Sequence, residues 1–269
     1  MDTELIVFGT GHGMAIRCFN TCFALRNENE HFLVDGGGGN EILSRFMDAG
    51  LTCQNTPTMF ITHGHTDHIL GSIWVIRYYC EEMLENRYKG GFTIYAHKDL
   101  VDMLDLFLNM LFPPYLRAFI GNGVFIKVVE SGDVAHINQM SVTFFDIGST
   151  KLKQFGFKAV LPNGQTLTCL GDETYKDSSK PYTQDADWMM SEAFCLYRDK
   201  DIFHPYEKHH CTALDAGKQA EELGVKNLII YHTEDSDLAH RKEEYTKEAK
   251  THYHGRVFVP DDMDRFYLK

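Results

Sequence analysis

Between residues 58 and 71 the chain reads Thr-Met-Phe-Ile-Thr-His63-Gly-His65-Thr-Asp67-His68-Ile-Leu-Gly71. Three imidazoles and one carboxylate thus fall within six residues. An apolar strand ends at Thr62, Gly64 opens a tight loop, and Thr66 suits the N-cap of a following helix. Imidazole nitrogen and carboxylate oxygen are borderline-to-hard donors that match zinc, iron or manganese. A single histidine here would fit a solvated loop after a strand. Four donors at this spacing predict a metal site.

Such a loop needs rigid elements on both sides. Short apolar runs between Gly, Asn and Asp turns predict strands over 5–8, 21–26, 31–34, 58–61, 92–95, 124–129, 141–146, 155–161, 166–170, 188–193, 228–231 and 257–259. Helices are predicted over 40–49, 70–85, 100–111, 213–223 and 238–252. Each half of the chain opens with strands and continues into helix-containing units. That order suits two mixed sheets packed face to face with helices outside. No linker separates domains and no short repeat occurs, so residues 1–269 read as one unit. The segment 104–120 is too apolar for an ordinary surface loop. It reads either as core packing or as a substrate lid or subunit contact, the latter implying a homodimer.

The HxHxDH pattern after an apolar strand resembles the signature of the metallo-β-lactamase superfamily. Further elements of that family follow in order. Asp172 in Cys169-Leu-Gly-Asp172 and His232 in Leu228-Ile-Ile-Tyr-His232 both follow strands. His210, in His210-Cys-Thr-Ala, is similar to the histidine of the His-Ser-Thr motif in ribonuclease Z and its phosphodiesterase relatives. With Gly9-Thr-Gly11 near the start, that branch is the nearest. The resemblance implies an α/β (α+β) fold, a four-layer αβ/βα sandwich with the site at one sheet edge. It also implies a ligand set: His63 and His65 for a first metal, Asp67, His68 and His232 for a second, and Asp172 bridging. The expected cofactor is zinc, one or two per chain, with iron or manganese as alternatives. Asp35 would orient the metal loop.

The pattern breaks at one place. The family carries another first-site histidine shortly before a Gly-aromatic pair, but here the chain reads Phe144-Phe-Asp-Ile-Gly148-Ser-Thr-Lys-Leu-Lys-Gln-Phe-Gly156-Phe157. Gly148 is taken as the equivalent position, with Ser149 or Thr150 as alternatives and His12 or His136 as substitutes from elsewhere. The first site then keeps three protein ligands, and weaker occupancy, or one metal only, is expected there.

The resemblance implies a metallo-hydrolase. The favoured activity is hydrolysis of a phosphodiester by a metal-bound hydroxide, with Asp67 holding or deprotonating the water and His210 donating a proton to the leaving oxygen. A small-molecule or nucleotide phosphodiester is the expected substrate. Transfer RNA is disfavoured: ribonuclease Z enzymes carry a long arm between their third and fourth motifs, whereas only 23 residues separate Gly148 from Asp172. The net charge of −12 points the same way. The alternatives are a ribonuclease Z-like RNA-processing nuclease, a carboxylic ester or lactone hydrolase of the same fold, and a non-catalytic metal-binding relative.

Other features exclude other classes. Asp35 is followed by four glycines, but the run lacks the Lys-Ser/Thr of a phosphate loop. No G-x-S-x-G elbow is present. Seven cysteines without a CxxC pair suggest reduced thiols. No apolar run is long enough to span a bilayer, and the first residues lack a signal-peptide pattern. A cytoplasmic protein without membrane association is therefore expected. Glu173 and Tyr175 are expected to line the pocket, and His209 to be a surface residue.

Overall fold

The computed structural model describes residues 2–269. Strands run in chain order as β1 (Thr3–Gly9), β2 (Cys22–Asn27), β3 (Glu30–Val34), β4 (Thr58–Phe60), β5 (Phe92–Ala96), β6 (Val124–Val128), β7 (Val134–Ile137), β8 (Met140–Asp146), β9 (Phe155–Val160), β10 (Thr166–Cys169), β11 (Trp188–Glu192), β12 (Asn227–Tyr231), β13 (Arg256–Phe258) and β14 (Arg265–Leu268). The first sheet has the order β14-β1-β2-β3-β4-β5-β6, and the second β13-β12-β11-β10-β9-β8-β7. The last strand returns to pair with the first, Leu268 opposite Thr3.

Central strands such as β1 and β12 are apolar on both faces because both faces are covered. Along β1, Leu5 and Val7 enter the core between the sheets, while Ile6 and Phe8 enter the core under the helices. β12 divides in the same way, Ile229 and Tyr231 inward and Leu228 and Ile230 outward. This is the two-residue period of a strand read with apolar residues at every position. The inter-sheet layer is aromatic at its centre, where Phe60 and Phe144 lie 4.9 Å apart and Phe32 meets Phe157 at 5.8 Å. Helices α1 (Glu41–Asp48), α2 (Thr66–Leu84), α3 (Lys98–Leu111) and the short α4 (Pro114–Arg117) cover the first sheet. The single turns α5 (Lys180–Thr183) and α6 (Lys200–Phe203) precede α7 (Ala213–Glu222) and α8 (Leu238–Ala249), and α7 and α8 cover the second. The result is the four-layer αβ/βα sandwich.

Several boundaries differ from expectation. The helix expected from residue 70 starts at Thr66, so Asp67 and His68 lie in its first turn and His65, not Thr66, is the N-cap residue. The edge strands β7 and β14 were not expected, because their half-polar patterns carry no clear alternation. In segment 104–120, Leu104, Leu108, Phe112 and Leu116 are buried, whereas Leu106, Met110, Leu111 and Tyr115 face outward. The core reading holds for one face only. No helix among the described residues is long and apolar enough to cross a membrane.

The glycine run after Asp35 has a packing role. A Cβ on Gly71 would lie 1.8 Å from the Gly36 carbonyl oxygen, and one on Gly36 would lie 2.1 Å from the Ser72 nitrogen. Gly36 N donates to His68 O, and Gly71 N donates to Gly37 O. Bare backbone on both sides lets the start of α2 press against the end of β3, where Asp35 sits.

Candidate metal centre

The parallel strands β4, β10, β11 and β12 end at one edge of the molecule. Their carboxyl ends deliver His63, Asp172, Glu192 and His232, and the first turn of α2 adds Asp67 and His68. Two donor groups share Asp172, and a third set, Glu192, His210 and His232, lies beside them. Asp67, His68, Asp172 and His232 form one, and His63, His65 and Asp172 form the other, with donor atoms in each group within 4.8 Å of one another. Asp172 Oδ2 is the common point, lying 3.3 Å from His63 Nε2, 3.8 Å from His65 Nδ1, 3.6 Å from His68 Nε2 and 3.5 Å from His232 Nε2. Asp67 Oδ2 stands 3.4 Å from His68 Nε2 and 3.3 Å from His232 Nε2.

Hydrogen-bond direction prepares the rings as ligands. Thr62 N and Oγ1 donate to Asp35 at 2.8 and 2.7 Å. The threonine hydroxyl has one proton and spends it on Asp35, so it accepts from His63 Nδ1 at 2.9 Å. His68 Nδ1 donates to Asp35 Oδ2 at 2.8 Å. Asp35 therefore fixes a proton on Nδ1 of both histidines, directly for His68 and through Thr62 for His63, and leaves both Nε2 atoms on the side of Asp172. Asp35 reaches this position with φ +58°, and His232 sits at φ +57°. Two non-glycine residues in the left-handed region mark a backbone constrained by the cluster. Gly171, at φ +74°, turns the chain into Asp172, and its carbonyl accepts from the Tyr231 hydroxyl, which couples Asp172 to the strand end carrying His232.

The electrostatics suit a cation. Burial raises the Asp67 and Asp172 carboxyls, but the surrounding histidines more than offset it, and both remain ionised well below the usual carboxylate range. Burial also drives His63 below its ordinary value and keeps it neutral. His68 Nε2 and Asp172 Oδ1 are buried without a hydrogen-bond partner. Buried polar atoms left without partners around two buried carboxylates are costly unless a cation meets them. Imidazole and carboxylate in this ratio fit a divalent metal of the zinc type.

The first group has no fourth side chain. Gly148, expected to stand at the missing histidine, has φ +73°, and a Cβ there would point at Ser178 Oγ, 3.1 Å away. Thr150 is engaged by exposed His209, its Oγ1 3.0 Å from His209 Nδ1, and Ser149 by Glu173. His136 lies on the edge strand β7 and His12 outside the first donor group, so neither fills the gap.

A cleft of about 370 Å³ opens over the donors, lined among others by His12, Met14, Lys151, Phe194, Lys208 and His210. His210 stacks on Phe194 with ring centroids 5.0 Å apart. Its Nδ1 faces Glu192 Oε2 at 3.6 Å, and Glu192 Oε1 accepts from Cys211 N at 2.7 Å. Burial pulls the His210 imidazole down, but the Glu192 carboxylate outweighs it and leaves the ring above its ordinary value. Sequence reading missed Glu192, although a carboxylate ending the apolar run Trp188-Met-Met-Ser-Glu192 is a usable signal. Glu173 and Tyr175 do not line the cleft. Glu173 binds Lys176 and Ser149, and Tyr175 packs under the second sheet. His209 is exposed, as expected.

Comparison with known proteins agrees with this architecture. The family described as Anti-Pycsar protein Apyc1 matches residues 3–150, more than half of the chain. Ribonuclease Z of Bacillus thuringiensis is 31% identical over an alignment covering 92% of this chain and 94% of that protein. The probable metallo-hydrolase YhfI of Bacillus subtilis is 31% identical over 100 residues, 37% of this chain and 38% of YhfI. The crystal structure of YhfI superposes over 99% of this chain and 100% of its own, with TM-score 0.80 and 18% identity. The shared fold, the sequence match over most of the chain and the donor cluster lead to one conclusion: this chain is a metallo-β-lactamase-fold hydrolase of the Anti-Pycsar protein Apyc1 family, related to ribonuclease Z and YhfI.

Proposed function

We propose that this chain hydrolyses a small phosphodiester in the cleft above Asp172, with zinc held by the two donor groups. One observation carries the reading: two donor groups share a carboxylate under a cleft that also presents an acid, His210, and two cations, Lys151 and Lys208. His63, His65 and Asp172 would hold one ion, and Asp67, His68, Asp172 and His232 the other. When bound, the metal supplies Lewis-acid polarisation and a water of lowered pKa.

The rest is the work of the chain. Lys151 and Lys208 attract an anionic ester into a protein of net charge −12. His210, whose imidazole the Glu192 carboxylate holds above its ordinary value, is the group that delivers a proton from Nε2 to the leaving oxygen. Asp67 and Asp172 stay ionised and hold positive charge at the cleft floor. Phe194 stacks against His210 and limits its rotation. β9 and β10 form a short hairpin with no protruding arm, which favours a small ester over a folded RNA. The seven free cysteines fit a reducing compartment, and we place the activity in the cytoplasm.

Zinc-loaded protein should cleave bis(p-nitrophenyl) phosphate and leave a simple lactone untouched. Lactone turnover without diester cleavage would move the assignment to a carboxylic ester hydrolase. Zinc binding with neither activity would favour a non-catalytic role, a reading supported by the three-ligand first group.

A further inference from the structure

His12 is built into the cleft in a way the chemistry above does not use. It lies between Gly11 and Gly13 in the turn after β1, and its backbone is tied at three points. His12 N donates to Thr233 O at 3.0 Å, and its carbonyl accepts from Ala15 N at 3.0 Å and from Asn20 Nδ2 at 2.8 Å. Thr233 directly follows His232, so His12 is fastened to the strand end that carries a donor of the second group. The turn passes close over that group: a Cβ on Gly13 would lie 3.3 Å from the Asp67 carboxylate.

The ring is fixed as well. It meets Phe194 edge-on at 4.6 Å and stands 6.4 Å from the His232 ring. Met14 N donates to His12 Nδ1 at 3.2 Å. A nitrogen that accepts this bond carries no proton, so the neutral ring holds its proton on Nε2. Nε2 has no protein partner among the described residues, and the ring borders the cleft. Burial, reinforced by His232, pushes the imidazole down to about 4, so the donor does not gain a charge near neutral pH.

We propose that His12 is a substrate-binding residue whose Nε2–H donates to an oxygen of the anionic ester beside the second donor group. The nature of that anion rests on the phosphodiester reading; the preset donor does not. Around it the cleft floor offers acceptors to a metal, and the rim offers Lys151 and Lys208. His12 adds one neutral donor with a set direction. Such a donor orients an oxyanion without reorganising during the reaction.

The test compares zinc-loaded wild type, His12→Ala and His12→Asn. Zinc content, melting temperature, bis(p-nitrophenyl) phosphate kinetics and calorimetric binding of inorganic phosphate are measured on each. With zinc content and melting temperature unchanged, His12→Ala should weaken phosphate binding and lower kcat/KM by roughly ten- to hundredfold. His12→Asn, which keeps an N–H donor, should recover part of the loss. Equal phosphate affinity in wild type and His12→Ala overturns the inference. A wild type that binds phosphate but cleaves no diester defeats the phosphodiesterase reading alone, and the phosphate series still decides for His12. If His12→Ala loses zinc or fails to fold, the imidazole ¹⁵N shifts of the wild type decide. A proton on Nε2 whose signal moves on phosphate addition supports the assignment, and a proton on Nδ1 overturns it.

Discussion

The two donor groups share Asp172 yet differ in how completely they are built. The second draws Asp67 and His68 from the first turn of α2 and His232 from the far sheet, and all of its members are buried. The first depends on one loop and Asp172, and its His65 side chain is 34% exposed. Donors brought from three elements are held by the packing of two sheets. Donors from one loop move with that loop. The second group should therefore bind metal tightly and the first loosely.

The largest effect that can break this contrast comes from Asp172→Ala, which should empty both groups and abolish turnover; metal per chain by mass spectrometry reads it. His232→Ala should empty the second group alone, and His65→Ala the first. Equal affinity at both groups would remove the contrast. Next in size, His210→Ala should lower kcat by roughly 10²–10⁴ with metal retained. Glu192→Gln removes the charge that raises the His210 imidazole. The ring then deprotonates at lower pH, and the basic limb of the rate profile should move down.

Asp35→Asn should weaken metal binding by about 10–100-fold. It should act more on the second group, because His68 touches Asp35 directly and His63 only through Thr62. A gain is expected from Thr150→His, which should raise first-group occupancy several-fold in a zinc titration. Gly148→His should give none, since its backbone is left-handed and its side chain would point at Ser178.

The smallest effect lies outside both groups and serves as a control for acid loss of metal. His97 caps α3 by accepting from Leu100 N, and burial, with Lys153, pushes its imidazole down to about 4. Folding thus disfavours its protonation. The stability it contributes is complete above the unfolded value of 6.5 and is lost as pH falls from there toward 4. His97→Asn, which keeps a capping acceptor, should flatten the fall by about 1–3 kcal/mol in denaturant titrations.

Much of this was legible in the chain itself. Strands buried on both faces read as continuous apolar runs, and twelve of the fourteen strands were placed to within a few residues. The run from His63 to His68 declared a metal loop because its donors are neighbours in sequence, where spacing alone constrains geometry. Family resemblance pointed to Asp172, His232 and His210 at strand and helix ends. The edge strands β7 and β14 escaped notice because four half-polar residues carry too weak a period.

Only the tertiary structure decided the rest. Glu192 was hidden as the last residue of an apolar strand until the packing of β11 against the 204–212 loop set it beside His210. Gly148 proved unsuited to carry the missing ligand because its positive φ would aim a side chain at Ser178. Whether Nδ1 of His12, His63 and His68 carries a proton rests on single hydrogen bonds with Met14, Thr62 and Asp35. Residue types and spacing tell which groups can bond; the direction of a bond depends on backbone angles and neighbours drawn from distant parts of the chain, and those exist only once the sheets have closed.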